Sequence, residues 1–173
     1  MKRLLFAALI TLVSSVGLAE DNKELKDKHW LVAIGPVYTS QLQGTAGGTK
    51  YGILLGYVQM LSERLSMKYF YDGNFNTASQ GATGVTSINL GFDVYTKDRG
   101  SDVSPYILGD IGYGGQNNST NSSITVGIGI GITGFRTQNA SVTFYYRRAY
   151  TLITSSIVSS YPYIEQFMLG TNF

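Results

Sequence analysis

The sequence predicts an all-β fold, an eight-stranded antiparallel up-and-down transmembrane β-barrel. Three observations predict it. A short apolar segment at the N-terminus is typical of an export signal. The chain that follows alternates polar and apolar residues with a period of two, as strands do. No second apolar run is long enough for a membrane helix, so entry into a membrane would have to use strands. Mean hydropathy is only +0.02, because alternation averages the two faces of each strand.

The first 19 residues have the three parts of a secretory signal peptide. Lys2 and Arg3 are basic, residues 4–13 form a short apolar core, and small residues precede a cleavage site after Ala19. The apolar core is shorter than the ~20 residues that a spanning helix needs, which disfavours a membrane anchor. We therefore expect residues 1–19 to be removed during export.

Charge and cysteine content exclude several classes of protein. The thirteen basic residues include Lys2 and Arg3 of the leader, so the remaining eleven balance the eleven acidic ones. A neutral chain without a basic stripe is not predicted to bind nucleic acid. The sequence has no cysteine, so an exported chain must be stabilised without disulfides.

After the leader, residues 20–29 are predicted to be a polar periplasmic tail and residues 30–173 the barrel. The barrel contains eight alternating segments, each near the 9–11 residues that a tilted membrane strand needs. The predicted strands are 30–39, 51–60, 65–73, 86–95, 105–114, 123–133, 141–150 and 161–173. Turns at 62–64, 96–104 and 136–139 would be periplasmic, and the connections at 43–49, 76–83, 116–123 and 151–160 external.

The segment 123–133 shows the alternation most clearly. One face carries Ile124, Val126, Ile128, Ile130 and Ile132, and the other carries Gly127, Gly129 and Gly131 between hydroxyl residues. A soluble sheet would not place three glycines on its wet face, because glycine weakens a strand interior. Glycine fits the inside of a narrow barrel, where large side chains approach the backbone, and the aliphatic face would then lie against lipid.

Aromatic residues near the strand ends predict the two girdles of a membrane barrel. They are Trp30, Tyr38, Tyr51, Tyr57, Tyr95, Tyr150, Tyr161, Tyr163 and Phe173.

A signal peptide, alternating strands and a last strand ending in Phe173 together resemble the small eight-stranded outer-membrane barrels of Gram-negative bacteria, of the OmpX and OmpA-transmembrane-domain type. The resemblance covers about residues 30–173. It implies that Phe167, Leu169 and Phe173 form a C-terminal signal read by the barrel-assembly machinery during biogenesis. Thr171 departs from the apolar or aromatic residue usual at its position.

The parity of the strands places five charged residues inside the barrel: Lys68, Asp72, Asp93, Asp110 and Arg147. Charges in so narrow an interior must pair or meet water. We expect salt bridges between the two cations and the three aspartates, which would make a packing network, or alternatively a gated narrow ion path. Arg148 and Glu165 fall on the lipid face, near the outer rim where Arg148 could contact lipopolysaccharide phosphates, unless a bulge turns them inward.

No catalytic, metal or cofactor site is predicted. His29 is the only histidine, the chain lacks cysteine, and the glycine runs lack the lysine and the strand-to-helix context of a phosphate-binding loop. The predicted function is a non-enzymatic outer-membrane barrel with a structural or surface-interaction role, monomeric and in contact with outer-membrane lipid and lipopolysaccharide. A soluble periplasmic lipocalin-like barrel for an apolar ligand, and a narrow ion-conducting pore, are the alternatives.

Overall fold

The computed structural model describes residues 28–39, 49–76, 85–98, 101–116, 122–136, 140–154 and 163–173. These residues form eight strands: β1 Lys28–Thr39, β2 Thr49–Ser62, β3 Leu65–Asn76, β4 Val85–Tyr95, β5 Val103–Gln116, β6 Ser122–Gly134, β7 Ser141–Thr154 and β8 Tyr163–Asn172. The predicted leader 1–19, and residues 20–27 of the predicted tail, lie outside the described residues. Across the described ranges, no helix is long and apolar enough to cross a bilayer.

The eight strands close into a barrel. Each strand pairs antiparallel with the next in sequence, and β1 pairs with β8. The predicted eight-stranded antiparallel up-and-down barrel is therefore confirmed. β1 begins at Lys28, two residues before the predicted start of the barrel, so His29 pairs with Val58 instead of belonging to the tail. Closure leaves no unpaired edge, which matters in a bilayer because no water is there to satisfy backbone groups.

The pairing register staggers the strands around the barrel. A row of paired residues starts at Tyr38 on β1, follows the remaining strands, and returns to β1 at Lys28, ten positions away. The row is Tyr38, Glu165, Arg148, Ile128, Gly109, Phe92, Met67, Gln59 and Lys28. Such a stagger tilts the strands against the barrel axis, and eight strands enclose an interior just wide enough for side chains.

The two faces of the strands are those that the alternation predicts. On β6, Val126, Ile128 and Ile130 are exposed on the outer wall, while Gly127 and Gly129 are buried inside. The same division holds on the other strands, and Ile88 is the outward aliphatic side chain with the largest exposed fraction, 73%. The outer wall of the described barrel is thus largely apolar.

Apolar side chains also form a cluster inside the barrel, in addition to the apolar outer wall. Its members include Leu54, Phe70, Leu108, Tyr145 and Met168. Tyr106 and Leu108 of β5 share the parity of the inward residue Asp110, and both are buried inside the barrel. The lumen therefore contains aromatic and aliphatic side chains as well as charges.

The barrel has two distinct ends. We call the end at residues 63–64, 96–98, 101–102 and 135–136 the turn end, and the opposite one the loop end. Trp30, Tyr57 and Phe173 lie at the turn end on the outer face, with the rings of Trp30 and Tyr57 edge to face at 5.5 Å. The assignment of Tyr95 to a girdle is wrong. Its ring faces inward on the same side of β4 as Asp93 and packs 5.2 Å from that of Tyr106.

The loop end carries the other outward tyrosines. Tyr38, Tyr51, Tyr150 and Tyr163 occupy this end as the girdle prediction requires. Tyr161, the remaining aromatic of that prediction, lies outside the described residues.

Candidate functional site in the barrel lumen

The five predicted lumen charges all point into the barrel. Lys68 and Asp72 lie on β3, Asp93 on β4, Asp110 on β5 and Arg147 on β7. None is more than 6% exposed. Alternation explains this placement, because each residue has the parity of the buried residues on its own strand.

Arg147 is the centre of the larger of two clusters. Its Nε donates to Asp110 Oδ2 at 2.7 Å and its Nη2 to Asp110 Oδ1 at 2.6 Å, a bidentate pair. Its Nη1 donates to Asp72 Oδ2 at 3.0 Å and to Gln166 Oε1 at 2.7 Å. The planar guanidinium suits such forked contacts. One cation on β7 thus joins carboxylates on β3 and β5 across the lumen.

Amide side chains complete this cluster. Gln166 Nε2 donates to both carboxylate oxygens of Asp72 at 2.9 Å and to Asn74 Oδ1 at 3.2 Å. Asn89 Oδ1 accepts a longer contact of 3.4 Å from Arg147 Nη2. Gln166 was not predicted to belong to the network, although its position between the outward residues Glu165 and Phe167 places it inside.

The glycines of β6 make room for the ion pair. β6 lies between β5 and β7, so the Asp110–Arg147 pair crosses over it. Gly127 pairs with Asp110, and Gly129 pairs with Arg147. A Cβ at Gly127 would lie 2.6 Å from Asp110 Oδ1 and 2.7 Å from Arg147 Nε, closer than real Cβ contacts allow. The glycine face of β6 therefore provides the space that the charges occupy.

Lys68 and Asp93 form the second cluster, nearer the turn end. Lys68 Nζ donates to Asp93 Oδ1 at 2.6 Å. The ammonium also lies 5.6 Å from the ring centres of Phe70 and Tyr145 and 5.9 Å from that of Tyr106, within cation–π range. A cavity of about 10 Å³ adjoins this pair and has room for about one water molecule. Tyr145 is among the residues that line the cavity, and its buried hydroxyl has no hydrogen-bond partner among the described residues.

A layer of apolar side chains lies between the two charged clusters. It includes Phe70, between Lys68 and Asp72 on β3, and Tyr145, two residues from Arg147 on β7. Met168 lies two residues from Gln166 on β8, and Leu108 lies two residues from Asp110 on β5, both on the side of the turn end. Each is at most 1% exposed. The clusters are thus separate units of the lumen.

Lys50, which was not predicted to face the lumen, adds a third cation there. It lies on β2, two residues before the inward Gly52, and is 4% exposed. Extending the alternation of β2 by one step toward the N-terminus identifies it. Among the described residues, the buried charged side chains are then Lys50, Lys68 and Arg147 with Asp72, Asp93 and Asp110, equal numbers of each sign.

The lumen geometry is that of a closed network. In the described part of the chain, no group of three or more histidine, cysteine or acidic side chains could hold a metal ion. The carboxylates of Asp72 and Asp110 are held by Arg147 and Gln166. Buried charges held this way resist rearrangement, because removing one partner leaves the other charge uncompensated.

Comparison with solved structures identifies the architecture. The Neisserial surface protein A, NspA, superposes with a TM-score of 0.69 at 15% identity over 85% of this chain and 96% of its own. Ail, the attachment invasion locus protein of Yersinia pestis, gives 0.58 at 13% identity over 84% and 95%. The outer membrane protein OprG of Pseudomonas aeruginosa gives 0.50 at 13% identity over 88% and 99%. The fold is that of a small outer-membrane β-barrel.

At these identities the likeness concerns the fold, and it confirms at that level the resemblance drawn from the sequence. No family model and no curated protein matches the chain.

In the described strands, one ion pair lies on the outer wall of the barrel. Arg148 and Glu165, whose facing the sequence left open, are directly paired across β7 and β8 and both point outward. No bulge interrupts this stretch of the register. Their side chains are 38% and 24% exposed, respectively.

The C-terminal residues close the barrel. Phe167, Leu169 and Phe173 are all exposed on the outer wall. The ring of Phe167 packs between those of Tyr38, at 6.0 Å, and Tyr146, at 4.9 Å. Thr171 pairs with Val32 on one side and Val142 on the other.

Proposed function

We propose that this chain is a non-enzymatic integral protein of the Gram-negative outer membrane, with a structural or surface-interaction role and a lumen filled by side chains. One observation carries the proposal: the closed barrel is apolar on its outside and holds charges of both signs, paired with one another, on its inside. That arrangement inverts the usual order of a soluble protein and suits a bilayer.

The apolar wall supports a membrane location. Ile107, Ile111, Ile128 and Ile130 are each more than half exposed on adjacent strands β5 and β6. A contiguous apolar surface of this kind on a protein in water marks a site of association. Hydrocarbon covers it without requiring a partner, because the backbone groups of a closed barrel are already paired.

The geometry argues against the lipocalin-like alternative. A soluble barrel for an apolar ligand needs an apolar cavity inside and polar residues outside. Here the lumen holds the Arg147 cluster, and the cavity near Lys68 has a volume of only about 10 Å³. The charged network and this small cavity both argue against such a ligand.

The pore alternative also lacks support from the geometry. Arg147 makes contacts to residues on β3, β4, β5 and β8, which places its side chain across the interior. The layer of Phe70, Tyr145 and Met168 follows directly toward the turn end. Ion passage would have to displace both.

The proposed partners are outer-membrane lipid, lipopolysaccharide and, during biogenesis, the barrel-assembly machinery. We assign recognition by that machinery to Phe167, Leu169 and Phe173. The names of NspA and Ail refer to a surface protein and to attachment, which supports a surface role for the external connections of this chain.

Fractionation of cells that express the full chain tests the membrane location. We expect the protein in the outer-membrane fraction, with a gel mobility that differs between unboiled and boiled samples. Recovery in the soluble periplasmic fraction would contradict the proposal.

Labelling tests the orientation, and the absence of native cysteine makes it direct. Asn118→Cys, between β5 and β6, should react with a membrane-impermeant maleimide on intact cells. Glu63→Cys, on the opposite end between β2 and β3, should react only after the outer membrane is permeabilised. The reverse pattern would show that the barrel is inserted the other way.

A further inference from the structure

A patch of polar groups interrupts the apolar outer wall on β7 and β8. We call it the β7–β8 patch, and it consists of Tyr146, Arg148, Tyr150, Tyr163 and Glu165. Arg148 Nε and Tyr146 Oη donate to Glu165 Oε1 at 3.0 and 2.8 Å. The Arg148 guanidinium also lies 4.9 Å from the ring centre of Tyr163. The patch is therefore an ordered arrangement of one cation, one anion and three phenols.

The patch retains bonding capacity that faces outward. The hydrogen bonds that Glu165 receives within the described residues converge on Oε1 and leave its second oxygen, Oε2, without one. Among the described residues, the hydrogen-bond contact of Arg148 Nη1 is a long one, 3.5 Å to the hydroxyl of Tyr150. Charged groups on the lipid face of a barrel are costly at the bilayer midplane and less so toward its interfaces. Ionisable residues at such positions generally have a partner.

The patch is self-complementary under a two-fold rotation. Two copies inserted in the same direction can be related by an axis along the membrane normal. That rotation places β7 of one barrel opposite β8 of the other, at the same height. Arg148 of each copy then faces the partner's Glu165. A two-fold interface uses the same surface on both copies, and a pair of opposite charges on neighbouring strands fulfils that condition.

The surroundings of the ion pair suit a protein contact. In the pairing register Tyr38 lies next to Glu165, and Ile128 lies next to Arg148. On the turn-end side of the ion pair, the ring of Phe167 packs against those of Tyr38 and Tyr146. Arginine and tyrosine are enriched at the centres of interfaces, where the contacts around them exclude water. An aromatic and aliphatic rim around a central ion pair is therefore present on the wall.

From these observations we infer that the β7–β8 patch is the contact surface for a second copy of this chain in the membrane, with Arg148 and Glu165 forming a ring of four charges across the two-fold axis. The inference rests on the proposed membrane location. It differs from the monomer that the sequence predicted, and the experiment below distinguishes the two.

Energy transfer in vesicles tests the inference. The full mature chain, labelled through Glu63→Cys, is reconstituted in phosphatidylcholine vesicles, with donor and acceptor populations mixed at high lipid excess. We expect transfer above the level of random proximity for the unaltered patch. R148E and E165R should each weaken association by roughly tenfold, since polar contacts between membrane segments are of that magnitude and like charges would now face each other.

Mixing the two variants is the experiment that distinguishes a contact between copies from an ion pair within one barrel. Donor-labelled R148E combined with acceptor-labelled E165R puts opposite charges across the axis again, so transfer should return. A purely internal role of the ion pair does not predict this rescue. R64E is the matched control, because Arg64 pairs with Asp98 at the turn end, away from the patch, and it should leave transfer unchanged. The neutral variants R148Q and E165Q extend the comparison if a reversed charge prevents insertion.

Three outcomes would overturn the inference. In the first, the unaltered chain inserts and shows heat-modifiable mobility, but energy transfer stays at the level of random proximity. That result contradicts pairing of two copies and leaves the proposed function intact. A loss of lipopolysaccharide binding in R148E, without any transfer between barrels, would assign the patch to lipid. A chain that does not insert at all contradicts the proposed function and this inference together.

Discussion

Trp30 and Phe173 exchange two backbone hydrogen bonds. The amide of Trp30 donates to the carbonyl of Phe173 at 2.7 Å, and the amide of Phe173 donates to the carbonyl of Trp30 at 2.9 Å. These bonds form the last rung of the β1–β8 seam at the turn end. The terminal residue thus combines a backbone role in closure with the side-chain role that we propose for assembly.

Two variants of Phe173 separate these roles. Deletion of Phe173 removes both the ring and the closing hydrogen bonds, so we expect slower refolding into vesicles in vitro and a several-fold lower level in cells. Phe173→Ala retains the backbone bonds and should refold normally in vitro but assemble poorly in cells. Wild-type cellular levels of Phe173→Ala would contradict the proposed signal, and Phe173→Trp is the control that retains an aromatic ring.

Gly127 is predicted to be intolerant of any side chain. Gly127→Ala would place a methyl group against Asp110 and Arg147, and overpacking of this kind costs about 1–3 kcal/mol in the free energy of unfolding. Gly109→Ala is the matched control, because Gly109 points outward with nothing within 4 Å of an added Cβ. Urea unfolding in vesicles measures both. Equal stability of the two variants would show that the lumen readily rearranges around β6.

Removal of the Arg147 charge should strongly destabilise the barrel. Arg147→Met leaves the carboxylates of Asp72 and Asp110 buried without their cation, and loss of one partner of a buried pair costs about 3–5 kcal/mol. The double variant Arg147→Met/Asp110→Asn should recover part of that loss. A double-mutant cycle on unfolding free energies measures the coupling. Additive effects would contradict the cluster.

Conductance in planar bilayers tests whether the lumen is filled. We expect no stepwise currents from the wild-type barrel. Arg147→Ala should also be silent, because the layer of Phe70, Tyr145 and Met168 is unchanged by the substitution. Stepwise currents from the wild type would favour the narrow pore, and currents from Arg147→Ala alone would show that this side chain is the barrier.

Asp98 is predicted to titrate below the usual range of aspartate. At the turn end, Arg64 Nε donates to Asp98 Oδ1 at 2.6 Å. This hydrogen bond, with the charge of Arg64, lowers the pKa of the Asp98 carboxyl. Its contribution to stability is therefore present above the unfolded pKa, near 3.9, and is lost as the pH falls through the lower folded value.

Titration of the Asp98 carboxyl carbon by NMR checks this prediction. The midpoint should lie below about 3.9 and should rise toward it in Arg64→Gln and in 1 M salt. Both side chains of the pair are more than half exposed, so we expect only a small effect on unfolding. A midpoint that is unchanged by Arg64→Gln would show that the pair does not form in solution.

The number of strands and the side of the wall that most residues face followed from the sequence. Successive side chains of a strand point to opposite faces, so Ile128 and Gly129 could be assigned without any knowledge of neighbouring strands. The same rule gave the inward facing of Lys68, Asp72, Asp93, Asp110 and Arg147. It also places Lys50 and Gln166 inside the barrel, although neither was among the predicted lumen residues.

The partners of those charges depended on the tertiary structure. Parity does not say how far one strand is shifted against the next, and the stagger of ten residues around the barrel determines which side chains share a level. That stagger places Arg147 over Gly129 and beside Asp72, which is 75 residues away in the sequence, and pairs Lys68 with Asp93. It also sets Arg148 opposite Glu165 on the outer wall. The sequence by itself determined which face each of these residues occupies, and only the closed barrel, through its register, determined what each one meets there.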